Sequence, residues 1–572
     1  MLRALAAVGR FLPRRGDYDA RSWRQDLLAG VTVAVVALPL ALAFGVTSGA
    51  GAAAGLATAV VAGTLAAVFG GSNFQVSGPT GAMTVVLLPI VAEYGVAALP
   101  LLGLLAGGFL LVFAFARIGR YVNYVPWPVV SGFTNGIAII IGLQQLPGLL
   151  GVPAAAGHGG ILPASFDALR AFVAAPTLQP LALGLLTVAV MLAWPAWKRA
   201  RGVPAGIVAL VAVTLVSLLP LFGDVARIGA IPAALPWPSL PPVPDLDVVV
   251  LVRAALAIAV LAALESLLSA VVADSMTVGE RHDPDRELFG QGIANLGAAV
   301  MGGIPATAAL ARTAVNVRSG ARTRLAAIVH GLSLLAIVLV AAPLAARIPL
   351  AALAGILVVV AVRMIETHAL RTILRSTKSD AFVLMLTMVV TVLFDLILAL
   401  EVGLVAAGVL FIVRMSRMFR IDPLELSGGV DAPRHDLAAD ADAEQRLLRE
   451  HVVAYRIDGP IFFGAANRFF DQLLKAGGGI RVVILRLRRV PVMDATGASA
   501  LESLVERLER NGVAVFLTGL QAQPRELLDR MGVLARLDAK GARIFGTTEE
   551  AIAVARDRVV GRASKAHPVH DG

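Results

Sequence analysis

Two stretches place proline, glycine and threonine inside otherwise apolar sequence: Ser77-Gly78-Pro79-Thr80-Gly81 and Gly302-Gly303-Ile304-Pro305-Ala306-Thr307. Proline suits the first position of a helix, and glycine suits irregular backbone ahead of it. Each stretch therefore reads as a helix beginning inside an apolar segment, with Asn73 to Val76 and Met301 to Ile304 as short extended leads. A helix start leaves its first N–H groups without intrahelical acceptors and carries roughly half a positive charge. Two such starts meeting head to head make an anion site. The candidate contacts are Gly78, Pro79, Thr80 and Gly81 from one, and Pro305, Ala306 and Thr307 from the other. The alternative is that both prolines merely kink continuous helices. Glycines ahead of both prolines, in segments that are both short, favour interruption.

Ionisable residues at mid-membrane depth are the second clue, because each costs on the order of 2.5–3.5 kcal/mol there. Glu265 falls near the middle of an apolar run, with Ser269 one helical turn further on the same face. Arg312 follows Pro305 by seven residues. Glu265 and Arg312 are expected to pair if their helices pack, either as a static structural pair or as a working one. In the working reading Arg312 adds positive charge beside the anion, and Glu265 titrates or releases Arg312, coupling anion movement to protons. Glu93, Asp274, Asp395 and Glu401 fall near span ends and receive no role.

The elements that position these residues must be membrane spans. The 572 residues are 58% hydrophobic and 15% charged, with a mean hydropathy of +0.80, beyond what a water-soluble protein of this size tolerates. Stretches able to cross roughly 30 Å of hydrocarbon as helices fill residues 26–418. They read as fourteen spans: 26–46, 52–70, 78–93, 97–116, 125–146, 178–197, 203–222, 248–273, 287–302, 305–317, 325–346, 348–364, 380–395 and 398–416. Lys and Arg in loops after even-numbered spans outnumber those after odd-numbered spans by fourteen to three, so both termini are expected to face the cytoplasm. The net charge of +10 follows this loop bias rather than a basic patch interleaved with aromatics, so no nucleic-acid partner is expected. The Arg-rich start lacks the apolar core of a cleaved signal.

Seven plus seven spans give two halves of opposite orientation, an inverted repeat. Pro79 lies 40 residues after Pro39, and Pro305 lies 40 residues after Glu265. With no cysteine, disulfides, thiolate metal sites and cysteine nucleophiles are excluded, and the eight His lack metal-ligand spacing. No metal, cofactor or enzymatic activity is expected, and the missing Walker A sequence removes ATP as a driver.

Leu38-Pro39-Leu40-Ala41-Leu42-Ala43-Phe44, Ser77 to Ala82, Leu264-Glu265-Ser266 and Ala309 to Asn316 resemble signatures of the sulfate permease (SulP) family in its spans 1, 3, 8 and 10. The resemblance covers essentially the whole chain. It implies a fourteen-span fold of core and gate domains, an elevator-like movement, and a pocket between the N-termini of spans 3 and 10. Phe44 would line that pocket, Glu265 would be the acidic residue of span 8, and Arg312 the basic residue of span 10. Many members carry Gln where this chain has Leu40, which leaves pocket polarity and substrate choice open. Another type of member holds sodium with an acidic residue and hydroxyls of span 8, a role that Glu265 and Ser269 could fill. The resemblance also implies a homodimer.

From about residue 450, short apolar strands alternate with amphipathic helices, the pattern of a small α/β domain. Strands are expected at 451–457, 482–487 and 513–518, and helices at 465–475, 497–511 and 524–531. This region resembles a STAS domain, with Val492 to Gly497 as its loop and helix start. Thr496 occupies the position phosphorylated in soluble antagonists, or simply caps the helix. The expected layout is a cytoplasmic segment at 1–25, a membrane domain at 26–418, a linker at 419–448, the STAS domain at 449–560 with an unknown cytoplasmic partner, and a disordered tail at 561–572.

The leading expectation is secondary active transport of a small anion (sulfate, bicarbonate or a C4-dicarboxylate) by alternating access in a cell inner membrane, with protons as the coupling ion. A sodium-coupled bicarbonate symporter and an uncoupled anion channel are the alternatives. A nucleobase carrier wants amide or carboxylate contacts to a base ring and is disfavoured by the C-terminal domain; a membrane anchor for a signalling STAS domain is a further alternative, distinguished by deleting residues 445–572, after which a carrier retains anion binding.

Overall fold

The structure is a computed structural model describing residues 22–153, 161–197, 203–231, 234, 236–240, 247–277, 280–394, 396–424, 450–462, 479–539 and 543–566. The chain forms two compact units, Met1–Ala407 and Gly408–Gly572.

Helices of the first unit are α1 (Trp23–Thr47), α2 (Ala52–Phe69), α3 (Gly81–Tyr94), α4 (Ala98–Phe115), α5 (Trp127–Gln144), α6 (Leu146–Leu150), α7 (Ile161–Ala174), α8 (Leu178–Ala193) and α9 (Ala205–Val216). They continue with α10 (Val248–Met276), α11 (Pro284–Val300), α12 (Leu310–Arg318), α13 (Leu325–Ala345), α14 (Leu350–Met364), α15 (Thr367–Arg375), α16 (Lys378–Leu393) and α17 (Leu396–Met418), the last containing the division between units. Every span read from the sequence coincides with one of these helices; α6, α7 and α15 are short additions in the connections. Among the described residues, nine helical stretches are long and apolar enough to cross a membrane unaided.

At 14 and nine residues, α3 and α12 are not among them. Helices of 14 and nine residues are only about 21 and 14 Å long and cannot cross roughly 30 Å of hydrocarbon. Each is therefore half a span, and extended chain supplies the rest: β1 (Ser77–Gly78) leads into α3 and β2 (Thr307–Ala308) leads into α12.

Packing sorts the helices into two groups. In one, α11 packs on α4 and α2, α13 packs on α1 and α2, and α10 packs on α4 and α12. In the other, α16 packs on α5, and α14 packs on α8 and α5. Small residues permit the tight crossings expected where lipid leaves no hydrophobic force between helices. A Cβ on Gly55 would come within 2.2 Å of the Ala41 carbonyl oxygen and 2.8 Å of the Gly45 Cα, so α1 and α2 touch backbone to backbone.

The second unit holds a five-stranded sheet in the order β3 (Arg420–Leu424), β4 (Val452–Asp458), β5 (Val482–Arg489), β6 (Ala514–Thr518), β7 (Ile544–Phe545). β4 to β7 are parallel and β3 is antiparallel to β4. Its other elements are α18 (Ala495–Arg510), α19 (Ala522–Arg530), α20 (Val533–Asp538) and α21 (Thr548–Ala566). One face of the sheet, through Ile457, Val483, Leu485 and Leu517, packs on Leu501, Leu504 and Leu508 of α18. The other, through Ala454, Ile484 and Phe516, packs on Ala551, Ala555 and Val559 of α21. Burial on both faces explains why β5 and β6 read as continuous apolar runs.

Two expectations need correction here. Residues 420–424, expected within a linker, form β3, because Phe419 is buried and Ile421 packs on the sheet core, while Pro423 is tolerated on an edge strand. The tail at 561–572 is helical through Ala566, where α21 ends. Residues 1–21, 425–449 and 567–572, and the helix expected at 465–475, lie outside the described residues.

Candidate functional site

The two interruptions meet. Ser77 lies opposite Ala308 and Gly78 opposite Thr307 in an antiparallel pair. Because the pairing is antiparallel, α3 and α12 leave it in opposite directions, each with its N-terminal end toward the other's strand. Both helices begin later than expected. Thr80 is the N-cap of α3 and Ala309 that of α12, so neither Pro79 nor Pro305 occupies a first helical position. The strand pair takes up the backbone polar groups that an earlier helix start would have used.

Side chains from neighbouring helices fix the pair from behind. Thr58 of α2 accepts from the Ile304 N–H at 2.7 Å. Asn295 of α11 takes both groups of Ala306, accepting from its N–H at 2.8 Å and donating to its carbonyl at 3.0 Å. Ser266 of α10 accepts from the Ala308 N–H at 3.1 Å, and Thr313 of α12 from the Val76 N–H at 3.1 Å. Gln291 of α11 donates to the Ser77 hydroxyl at 2.7 Å. Buried Asp26 and Glu287 anchor the ends of the interrupted segments: Asp26 accepts from the N–H groups of Arg322 and Thr323, and Glu287 from those of Gly71 and Ser72.

On the front, Glu265 is the meeting point. Its Oε2 accepts from the Thr80 hydroxyl at 3.0 Å and the Thr307 hydroxyl at 2.7 Å, one from each half of the repeat. Thr80, Thr307 and Arg312 are buried, and Glu265 is half-buried. Arg312 donates through Nη2 to the Pro79 carbonyl at 2.9 Å. Its Nη1 is buried without a hydrogen-bond partner among the described residues. A Cβ on Gly78 would sit 2.6 Å from that nitrogen, and Gly78 has a φ of +150°, a backbone conformation that favours glycine. Phe44 of α1 is buried, with Cε1 3.4 Å from where a Gly81 Cβ would lie.

The expected direct Glu265–Arg312 ion pair is not formed among the described residues. The carboxylate is held by hydroxyls and the guanidinium by a carbonyl. The Ser269 hydroxyl donates to Thr313 at 3.2 Å, bracing α10 against α12. The Ala306 N–H is committed to Asn295 and is not a free donor. The N–H groups of Gly81 and Ala82 in α3, and of Leu310 and Ala311 in α12, meet no acceptor among the described residues. Leu40, where many members of the resembled family have Gln, is buried.

Thr58, Gln291 and Asn295 are supporting residues not singled out from the sequence, and Ser266 enters there only within a family signature. Their signal was present: polar side chains inside a span must find partners. In the second unit, Asp494 rather than Thr496 caps α18, accepting from the Gly497 N–H at 2.6 Å. Thr496 is exposed in the first turn.

Paired half-helices held inside a bundle of apolar helices define a membrane transporter. The model of the sulfate permease family matches residues 23–387, and that of the STAS domain matches residues 446–551. A putative sulfate transporter of Bacillus subtilis, YvdB, is 37% identical over 533 residues, covering 92% of this chain and 97% of its own. The bicarbonate transporter BicA of Picosynechococcus is 36% identical over 541 residues, covering 90% of this chain and 92% of its own. The chain belongs to the sulfate permease family. The solved transmembrane domain of a cyanobacterial bicarbonate transporter BicA is 39% identical, covers 67% of this chain and 98% of its own, and superposes with a TM-score of 0.61. Murine Slc26a9, an anion transporter solved in its inward-facing state, shares the fold with a TM-score of 0.82 at 18% identity, covering 96% of this chain and 95% of its own. The family is one of transporters, not enzymes.

Proposed function

We propose that the chain is a secondary active carrier that takes a small anion between the N-termini of α3 and α12 and moves it by alternating access, with protons as the coupling ion. One observation carries this reading: four helix-start N–H groups and the Arg312 Nη1 without acceptors among the described residues, gathered at one strand pair. Unsatisfied donors and helix-dipole charge in a low-dielectric bundle favour an anionic occupant. Sulfate and bicarbonate, the anions in the relatives' names, are the candidate substrates, with C4-dicarboxylates third.

Glu265 supports proton coupling because it is the carboxylate that both interruptions contact. The sodium alternative needs the Ser269 hydroxyl beside that carboxylate, but the hydroxyl is bound to Thr313. An uncoupled channel is the remaining reading. The loop charge bias supports an inner-membrane placement with both termini cytoplasmic, and family resemblance supports a homodimer.

The test is uptake of radiolabelled sulfate and bicarbonate into proteoliposomes. Saturable uptake driven by an imposed proton gradient is expected. Uptake driven only by a sodium gradient would replace the coupling ion, and large unitary currents would replace the carrier by a channel.

A further inference from the structure

The second unit carries a charged cluster that transport does not use. Arg456 of β4 and Arg486, Arg488 and Arg489 of β5 line a cavity of about 50 Å³. Arg456 lies opposite Arg486, and Arg486 opposite Thr518, in one row across three parallel strands. The Thr518 hydroxyl is 3.4 Å from that of Thr548, the first residue of α21, so this row adjoins a helix N-terminus. It also lies at the carboxyl ends of the strands, where open α/β sheets bind their ligands. Glu550 in the same turn of α21 is occupied locally, accepting from the N–H groups of Gly546 and Thr547.

A slip in pairing builds the cavity. Arg456 faces Arg486, yet Asp458 faces Arg489, so one extra residue enters β5 between these pairs. Strict alternation would send Arg488 and Arg489 to opposite faces; the bulge re-aims the strand, and both reach the same cavity.

Charge is left over. Asp422 lies 3.6 Å from Arg456, and Asp458 lies 3.6 Å from Arg456 and 3.3 Å from Arg489. Four guanidinium groups against two carboxylates leave a surplus of two positive charges, from 4 − 2. Arg486 and Arg488 have no ion-pair partner among the described residues, and Arg456 Nε is buried without a hydrogen bond. Like charges held together in a partly buried cavity repel, and a dianion with several acceptor oxygens relieves that repulsion while matching the planar guanidinium donors.

We propose that this cavity, built from residues of the second unit, is a second anion site for a doubly charged tetrahedral oxyanion, sulfate or phosphate. Its size suits such an ion or the terminal phosphate of a larger molecule.

The test is equilibrium dialysis of the purified full chain in detergent, at fixed ionic strength, with radiolabelled inorganic sulfate and, separately, inorganic phosphate. It is run in wild type, in Arg312→Ala, and in each with Arg486→Gln and Arg488→Gln added. Loss of one saturable site on adding the glutamine pair, in either background, supports the cavity; an unchanged number and affinity of sites overturns it. If the pair misfolds, exposed Arg488→Gln alone is expected to weaken the site about tenfold or more, and unaltered affinity overturns the proposal. Binding of one oxyanion and not the other identifies the occupant, and binding of neither in the Arg312→Ala background overturns the site. Two sites persisting in Arg312→Ala would instead count against the transport site.

Discussion

Arg312 reaches from the second half of the repeat to the first and donates to the Pro79 carbonyl oxygen at 2.9 Å. A charged side chain thus joins the two interrupted segments through its Nη2 and leaves its Nη1, beside Gly78, without a partner among the described residues. The contact ties the strand pair together at its α3 end and keeps a positive charge at the proposed anion position.

Arg312→Ala is expected to weaken anion affinity by roughly 10- to 100-fold, the equivalent of about 1.5–3 kcal/mol for a charge-assisted contact. The protein should still run as a single species on size exclusion in detergent, because Asn295, Ser266 and Thr58 continue to hold the strands. Wild-type uptake by a folded Arg312→Ala would remove this residue from the site.

Glu265→Gln should flatten the pH dependence of uptake. For anion entry with protons, wild-type uptake into vesicles rises as external pH falls. The amide keeps an oxygen for the Thr80 and Thr307 hydroxyls but carries no titrating proton. A preserved pH profile in this variant would move coupling to another residue.

Thr80 and Thr307 donate to the same oxygen, so their losses should not add. Each single change to alanine is expected to cost about 0.5–1.5 kcal/mol in apparent anion affinity, with a coupling of about 1 kcal/mol between them. Additive effects in the uptake KM would show that the hydroxyls act separately.

Asn295→Ala leaves both backbone groups of Ala306 without partners in the core of the bundle, at a cost of about 1–3 kcal/mol for each unsatisfied group. A lower melting temperature in detergent and loss of uptake are expected.

In the second unit, Asp494→Ala should destabilise α18 by about 1 kcal/mol, the usual value of an N-cap, whereas Thr496→Ala should change stability little. Thermal melting of both variants decides between these caps. Equal shifts would contradict the capping geometry.

By itself the sequence determined the positions of the spans, the two breaks and the α/β character of the C-terminal region, because hydropathy, proline and glycine act locally through chain length and backbone sterics. Glu265 and Arg312 stood out for the same reason, since an ionisable residue in an apolar run is costly wherever it packs. Only the tertiary structure decided that Glu265 answers to Thr80 and Thr307 rather than to Arg312. That choice depends on the antiparallel register of Gly78 with Thr307, a contact between residues more than two hundred positions apart. The start of α12 at Leu310 rather than Pro305 has the same origin, because strand pairing and Asn295 compete with the helix for the backbone of residues 306–308.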